Sequence, residues 1–115
     1  MSHEVSAIDE AAQAVWDDIE AALKKALPHD QVRLSHDNQR LQVNNSTFDI
    51  VDHHDTYGAR TVLLAEGGQE VKLRFIFKKG RWVLDQGLAG LKTALLYVRA
   101  SFLSRVWAKY SLNAK

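Results

Sequence analysis

The densest group of chemistry-bearing side chains in the chain is Asp52-His53-His54-Asp55. Imidazole and carboxylate are ligands that a zinc-type ion accepts. Neighbours on an extended strand point to opposite faces, however, so His53 and His54 do not converge on one ion. No HxH or HxxxH spacing occurs anywhere else. The run reads as polar residues leading into a turn, and no metal site is expected. Nucleophilic chemistry finds no better footing. The chain has no cysteine, and Ser35, Ser46, Ser101, Ser104 and Ser111 lie in no nucleophile-elbow context. Neither a phosphate-binding loop nor a dinucleotide fingerprint is present, so no catalytic residue and no cofactor are expected.

Charge offers a second kind of chemistry. Lys72, Arg74, Lys78, Lys79 and Arg81 cluster within ten residues. The strand register derived below aligns His53, Thr61, Arg74 and Asp85 in one row, with Arg74 facing Asp85 as a cross-strand ion pair. Together with Arg40 and Lys72, the row is a candidate surface for an anionic ligand or for nucleic acid. Against a nucleic-acid role, the same register turns Phe75, Phe77 and Trp82 toward the core, leaving no rings on that face for base stacking.

Three kinds of element must position these groups. The first is a helix over about 6–27. Ser6 is its expected N-cap, Asp9 and Glu10 lie in the first turn, and Pro28 stops it. Its apolar stripe is Ile8, Ala12, Val15, Ile19, Leu23 and Ala26, widened by Trp16 and Leu27. From Gln31 to Asp85 the hydrophobic period changes to two, and five turn signals divide the segment. Turns at Asp37-Asn38, Asn45-Ser46, Thr56-Tyr57-Gly58, Gly67-Gly68 and Lys79-Gly80 bound strands over about 31–36, 39–44, 47–54, 60–66, 69–78 and 81–85. With these turns the predicted cross-strand pairs are apolar on apolar: Val32 with Val43, Leu34 with Leu41, Val43 with Phe48, Ile50 with Leu64, Val62 with Leu73, and Phe77 with Trp82. A slip of one residue would turn half of them to the wrong face. The second face is mixed, with six bases and three acids.

The third element is a helix over about 88–111 that carries two apolar stripes. Leu91, Leu95, Val98, Phe102 and Val106 form one; Leu96, Ala100, Leu103 and Trp107 form the other, with Arg99 between them. One stripe suffices for packing on a sheet, so the second must meet the first helix or a partner. The ends of the chain also differ in charge. Residues 1–30 hold seven acids against two bases, and residues 86–115 hold five bases and no acid.

At 115 residues the chain is expected to form one α+β domain over 1–115: a helix, a six-stranded antiparallel meander and a second helix, with both helices on one face of the sheet. No apolar run reaches the roughly 18 residues of a membrane span, so no membrane partner is expected. The absence of cysteine fits the cytoplasm. The expected function is a non-catalytic protein-interaction or adaptor/chaperone-like domain, homodimeric or bound to another protein. Leu96, Arg99, Leu103 and Trp107 would form the contact. The alternative is anion or nucleic-acid binding through Arg40, His53, Thr61, Lys72 and Arg74.

Overall fold

The computed structural model describes the backbone of residues 2–97 and the side chains of residues 10–97. The expected α+β architecture is present. Helix α1 (Ser2–Ala26) is followed by β1 (Val32–Leu34), β2 (Arg40–Val43), β3 (Ser46–Thr56), β4 (Ala59–Glu66), β5 (Gln69–Lys78) and β6 (Arg81–Gln86). Each strand pairs antiparallel with the next, in the order β1 to β6. A second helix, α2, starts at residue 88 and is described to residue 97. The remainder of its expected span, with Val98, Arg99, Ala100, Phe102, Leu103, Val106 and Trp107, lies outside the described residues.

Helix α1 packs against both β1 and β6, the two edges of the sheet. Six flat strands would hold those edges about 24 Å apart, whereas a helix is only about 10 Å across. The sheet therefore curls around the helix, closing by curvature the gap that two helices laid on a flat sheet would leave. The buried residues of α1 are Trp16, Ile19 and Leu23, flanked by half-buried Val15 and Ala22, and Leu27, just past its end, is buried with them. The centre of the stripe is thus rotated toward Trp16 relative to the sequence reading, and Ala12 is exposed. Because α1 begins at Ser2, Ser6 lies inside the helix and is not its N-cap. On the concave face of the sheet, Val32, Leu41, Val43, Phe48, Ile50, Val62, Leu64, Val71, Leu73 and Phe75 complete the core.

Polar contacts fasten α1 to the first hairpin. Glu20 Oε2 accepts a hydrogen bond from the Leu34 amide at 2.8 Å, while its other oxygen pairs with Lys24 at 3.0 Å. The helix thus satisfies an amide of edge strand β1 that would otherwise stay open to pairing. Asn38 Nδ2 donates to Gln13 Oε1 at 2.8 Å. In the same turn, hydrogen bonds from the Ser35 hydroxyl and then the Gln39 amide hold the Asp37 carboxyl below the usual carboxylate range.

The register agrees with the turn chemistry at most positions and departs at three. Val32 faces Val43, Leu34 faces Leu41, and Phe75 and Phe77 face Leu84 and Trp82, as expected. Between β2 and β3 the turn is centred on Asn44-Asn45, with Asn44 at φ 56°. Leu41 therefore faces Phe48, and Val43 faces Ser46. This is a two-residue shift from the expected pairing, and such a shift keeps every side chain on its face, so hydrophobic patterning cannot detect it. The other departures are β-bulges. Val51 is an extra residue in β3, between the pairs Ile50–Leu64 and Asp52–Leu63, and in step with it the expected three-residue loop Thr56-Tyr57-Gly58 is a two-residue turn, Tyr57-Gly58, with Thr56 facing Ala59. Asp85 is extra in β6, between Arg74–Gln86 and Phe75–Leu84. Bulges bend a strand and raise its twist, as a curled sheet requires.

The chain leaves β6 through Gly87, whose carbonyl accepts the first α2 bond, from the Leu91 amide at 2.9 Å. Gly87 has φ 106°, and a Cβ there would lie 2.3 Å from the Lys72 carbonyl oxygen. Gly68 also has positive φ, 85°, but a Cβ there would meet nothing within 4 Å. Gly68→Ala should lower stability by about 1 kcal/mol, the backbone cost alone. Gly87→Ala should cost about 3 kcal/mol, because the strand must also move. Urea unfolding of the two variants checks the difference, which a purely conformational effect would not produce.

Candidate functional site at the open end of the concave face

The bulge at Val51 decides what the Asp52–Asp55 run can do. Below it, Phe48 and Ile50 face the core. Beyond it, the extra residue changes the parity, and His53 faces Val62, not Thr61. The expected row of His53, Thr61, Arg74 and Asp85 is therefore not assembled. His53 lies on the concave side, its ring meeting Trp16 edge-on at 5.0 Å between centroids. His54 takes its place opposite Thr61, which in turn pairs with Arg74.

On the convex face, Arg74 Nη1 donates to Asp85 Oδ2 at 2.6 Å, so the expected ion pair forms even though the bulge places Gln86 directly opposite Arg74. Arg40 pairs with Asp49 at 3.5 Å. Lys72 is exposed on this face, opposite Leu63. Of the five residues expected to hold an anion, His53 is thus on the other side, and both arginines already face a carboxylate.

The same parity change builds a different cluster on the concave side. Asp55 now faces Arg60 across β3 and β4. Arg60 Nε and Nη2 donate to the two Asp55 oxygens at 2.6 and 2.8 Å, a two-pronged, charge-assisted contact. The Arg60 Cζ lies 5.0 Å from the Trp16 ring centroid and 5.9 Å from that of Trp82, close enough for cation–π attraction to both. Trp82 continues the chain of rings to Phe77 at 5.6 Å, with the planes tilted by 59°. Arg60 is only 9% exposed, and it is the one buried polar or charged residue of the described core. Its Nη1 is enclosed without a hydrogen-bond partner. Burial of a charge in this way is costly unless it is paired.

Sequence reasoning assigned Arg60 to neither face. The available signal was its position two residues before Val62, on the apolar side of a predicted strand. A charge at such a position calls for a partner, and the bulge that brings Asp55 opposite has no sequence signature comparable to a turn. Phe77 also departs from expectation: although it is on the core-facing side, it is 53% exposed, because it lies beyond the elements that cover Phe75. Among the described residues, no group of histidines and carboxylates is arranged to hold a metal ion. Compared with known proteins, the chain matches no family model, no curated protein and no solved structure.

The hydrogen bonds from Arg60 hold the Asp55 carboxyl below the usual carboxylate range, outweighing the opposite effect of its partial burial. A carboxyl whose folded pKa is depressed contributes stability that is complete above its unfolded value, about pH 4. That contribution is lost as the pH falls through the lower folded value. Asp55→Asn should therefore flatten the fall in stability below about pH 4, as read from urea midpoints across the acid range. The two partners should also respond unequally to truncation. Asp55→Ala leaves an enclosed guanidinium unpaired and should cost about 2 kcal/mol. Arg60→Met removes the buried charge, keeps the contact with the tryptophan rings, and leaves an exposed carboxylate to water; it should cost less than about 1 kcal/mol. Equal losses would mean that the pair is held by something other than this asymmetry of burial.

Proposed function

We propose that the chain is a non-catalytic protein-interaction domain that self-associates through α2. The observation that carries this reading is the exposure of the second apolar stripe of α2 where that stripe begins. Leu91 and Ala94 are buried and Leu88 and Leu95 half-buried, so the first stripe is already used against the core. Leu96, the first member of the second stripe, is 67% exposed, and its neighbour Tyr97 is 56% exposed. An apolar stripe of this kind favours burial against a partner. The opposite charges of the two ends of the chain would favour side-by-side docking of copies.

Within this reading Leu96, Arg99, Leu103 and Trp107 form the contact, the last three assigned from the helical repeat alone. The cytoplasm is the compartment we propose, on the absence of cysteine. Among the described residues no helix is long and apolar enough to cross a membrane. The competing reading, anion or nucleic-acid binding on the convex face, is weakened by the ion pairs of Arg40 and Arg74 and by the position of His53.

Sedimentation equilibrium tests the proposal. The chain should sediment as a dimer, and Leu96→Lys combined with Trp107→Lys should weaken association by about 100-fold or more, with an unchanged circular-dichroism spectrum. An unmutated chain that remains monomeric at high concentration would overturn the self-association.

A further inference from the structure

The concave face ends in a patch that the described residues leave incomplete. At the tip of the β5–β6 hairpin, Phe77 is more than half exposed beside half-buried Trp82, which leads inward to Arg60. The enclosed Nη1 of Arg60 has no acceptor among the described residues. Lys79 lies in the turn at the tip, and Lys78 and Arg81 form the last cross-strand pair on its convex side; all three are exposed, and none forms an ion pair with a described carboxylate. Asp55 is the acid within the cluster, and both of its oxygens are occupied by Arg60.

We propose that this end of the concave face docks a short acidic segment of a partner protein that carries one apolar side chain. The apolar side chain packs on Phe77 and Trp82. The acidic residues meet Lys78, Lys79 and Arg81. A carbonyl or carboxylate oxygen of the segment supplies the acceptor that Arg60 Nη1 lacks, reached by a swing of the Trp82 side chain. Charge complementarity selects an acidic occupant: the hairpin tip carries three cations within four residues, reached from the concave patch around the end of the hairpin, and Asp55, the acid in contact with Arg60 among the described residues, is neutralised. A protein segment is favoured over single-stranded nucleic acid because Phe77 and Trp82 are tilted by 59° and do not form parallel platforms for successive bases. The site is separate from the proposed self-association surface. Helix α2 starts beside Lys72 and Leu73, about 17 Å along β5 from Phe77.

The test uses the full chain and a fluorescein-labelled acidic octapeptide with one central phenylalanine. The same peptide with a central serine, an all-lysine counterpart and a short oligothymidylate serve as comparisons, and binding is followed by fluorescence anisotropy. The phenylalanine peptide should bind, and the serine peptide should bind about tenfold more weakly. Phe77→Ser and Arg81→Glu, both at exposed positions, should each weaken binding of the phenylalanine peptide by about tenfold while leaving urea midpoints unchanged. Leu96→Lys should leave it unaffected, which separates this site from the α2 contact. Equal binding of the phenylalanine and serine peptides, absence of binding, preference for the lysine peptide or tighter binding of oligothymidylate would each overturn the proposal.

Discussion

One constraint governs the rest of this domain: helix α1, supplemented by Leu91 and Ala94 of α2, must cover the apolar face of a six-stranded sheet from edge to edge. The apolar residues on that face extend across all six strands, from Val32 in β1 to Leu84 in β6. Leaving either edge bare would sacrifice about 25 cal/mol for each Å² of apolar surface returned to water. Curling the sheet brings both edges to α1, so Trp16, Ile19 and Leu23 of the helix, with Leu27 just past its end, can meet strands from both sides of the sheet. Curvature requires departures from a regular ladder, and the two bulges at Val51 and Asp85 provide them.

The Val51 bulge has a chemical consequence beyond curvature. It reverses the inward and outward parity for the last part of β3, placing His53 and Asp55 on the concave side and Asp52 and His54 on the other. Asp55 then becomes available to the arginine that β4 would otherwise bury alone. The guanidinium, held in plane by the carboxylate and faced by Trp16 and Trp82, joins residues from α1, β3, β4 and β6. It is a polar centre at the end of an apolar core, and its enclosed nitrogen distinguishes it from the ion pair of Arg74 and Asp85 on the convex face, which is partly open to water.

Legibility in the sequence followed the physics of each signal. Element type and strand order were readable because period-two patterning and the turn residues agreed: Lys79-Gly80, both at positive φ, paired Phe77 with Trp82 as expected. The β2–β3 register was not readable, because Asn44-Asn45 and Asn45-Ser46 are both plausible turn centres that preserve the faces. The site was missed for the reason just given. A bulge is one residue without a strong compositional mark, yet it determined that His53 would face Trp16 and not stand beside Thr61. Exposure at the strand ends was equally hidden, since alternation assigns Phe77 to a face without stating how far the cover extends.

The clasp between α1 and β6 also bears on how the chain assembles. Every strand pairs with its sequence neighbour, so the sheet can grow from local hairpins with short loops to close. The meeting of Trp16 and Trp82 around Arg60 is different, because it joins segments separated by most of the described chain. Loop-closure entropy rises only slowly with length, but the rings gain their contacts only after the sheet has curled. Docking of the helix on β6 is thus the closure that requires the sheet to be curled already. Before it, the hairpins present an apolar face and two unprotected strand edges, β1 and β6, to other chains. The hydrogen bond from the Leu34 amide to Glu20 closes part of one of these edges as the helix arrives. One helix therefore completes the core and ends the interval in which the sheet is open to misassembly.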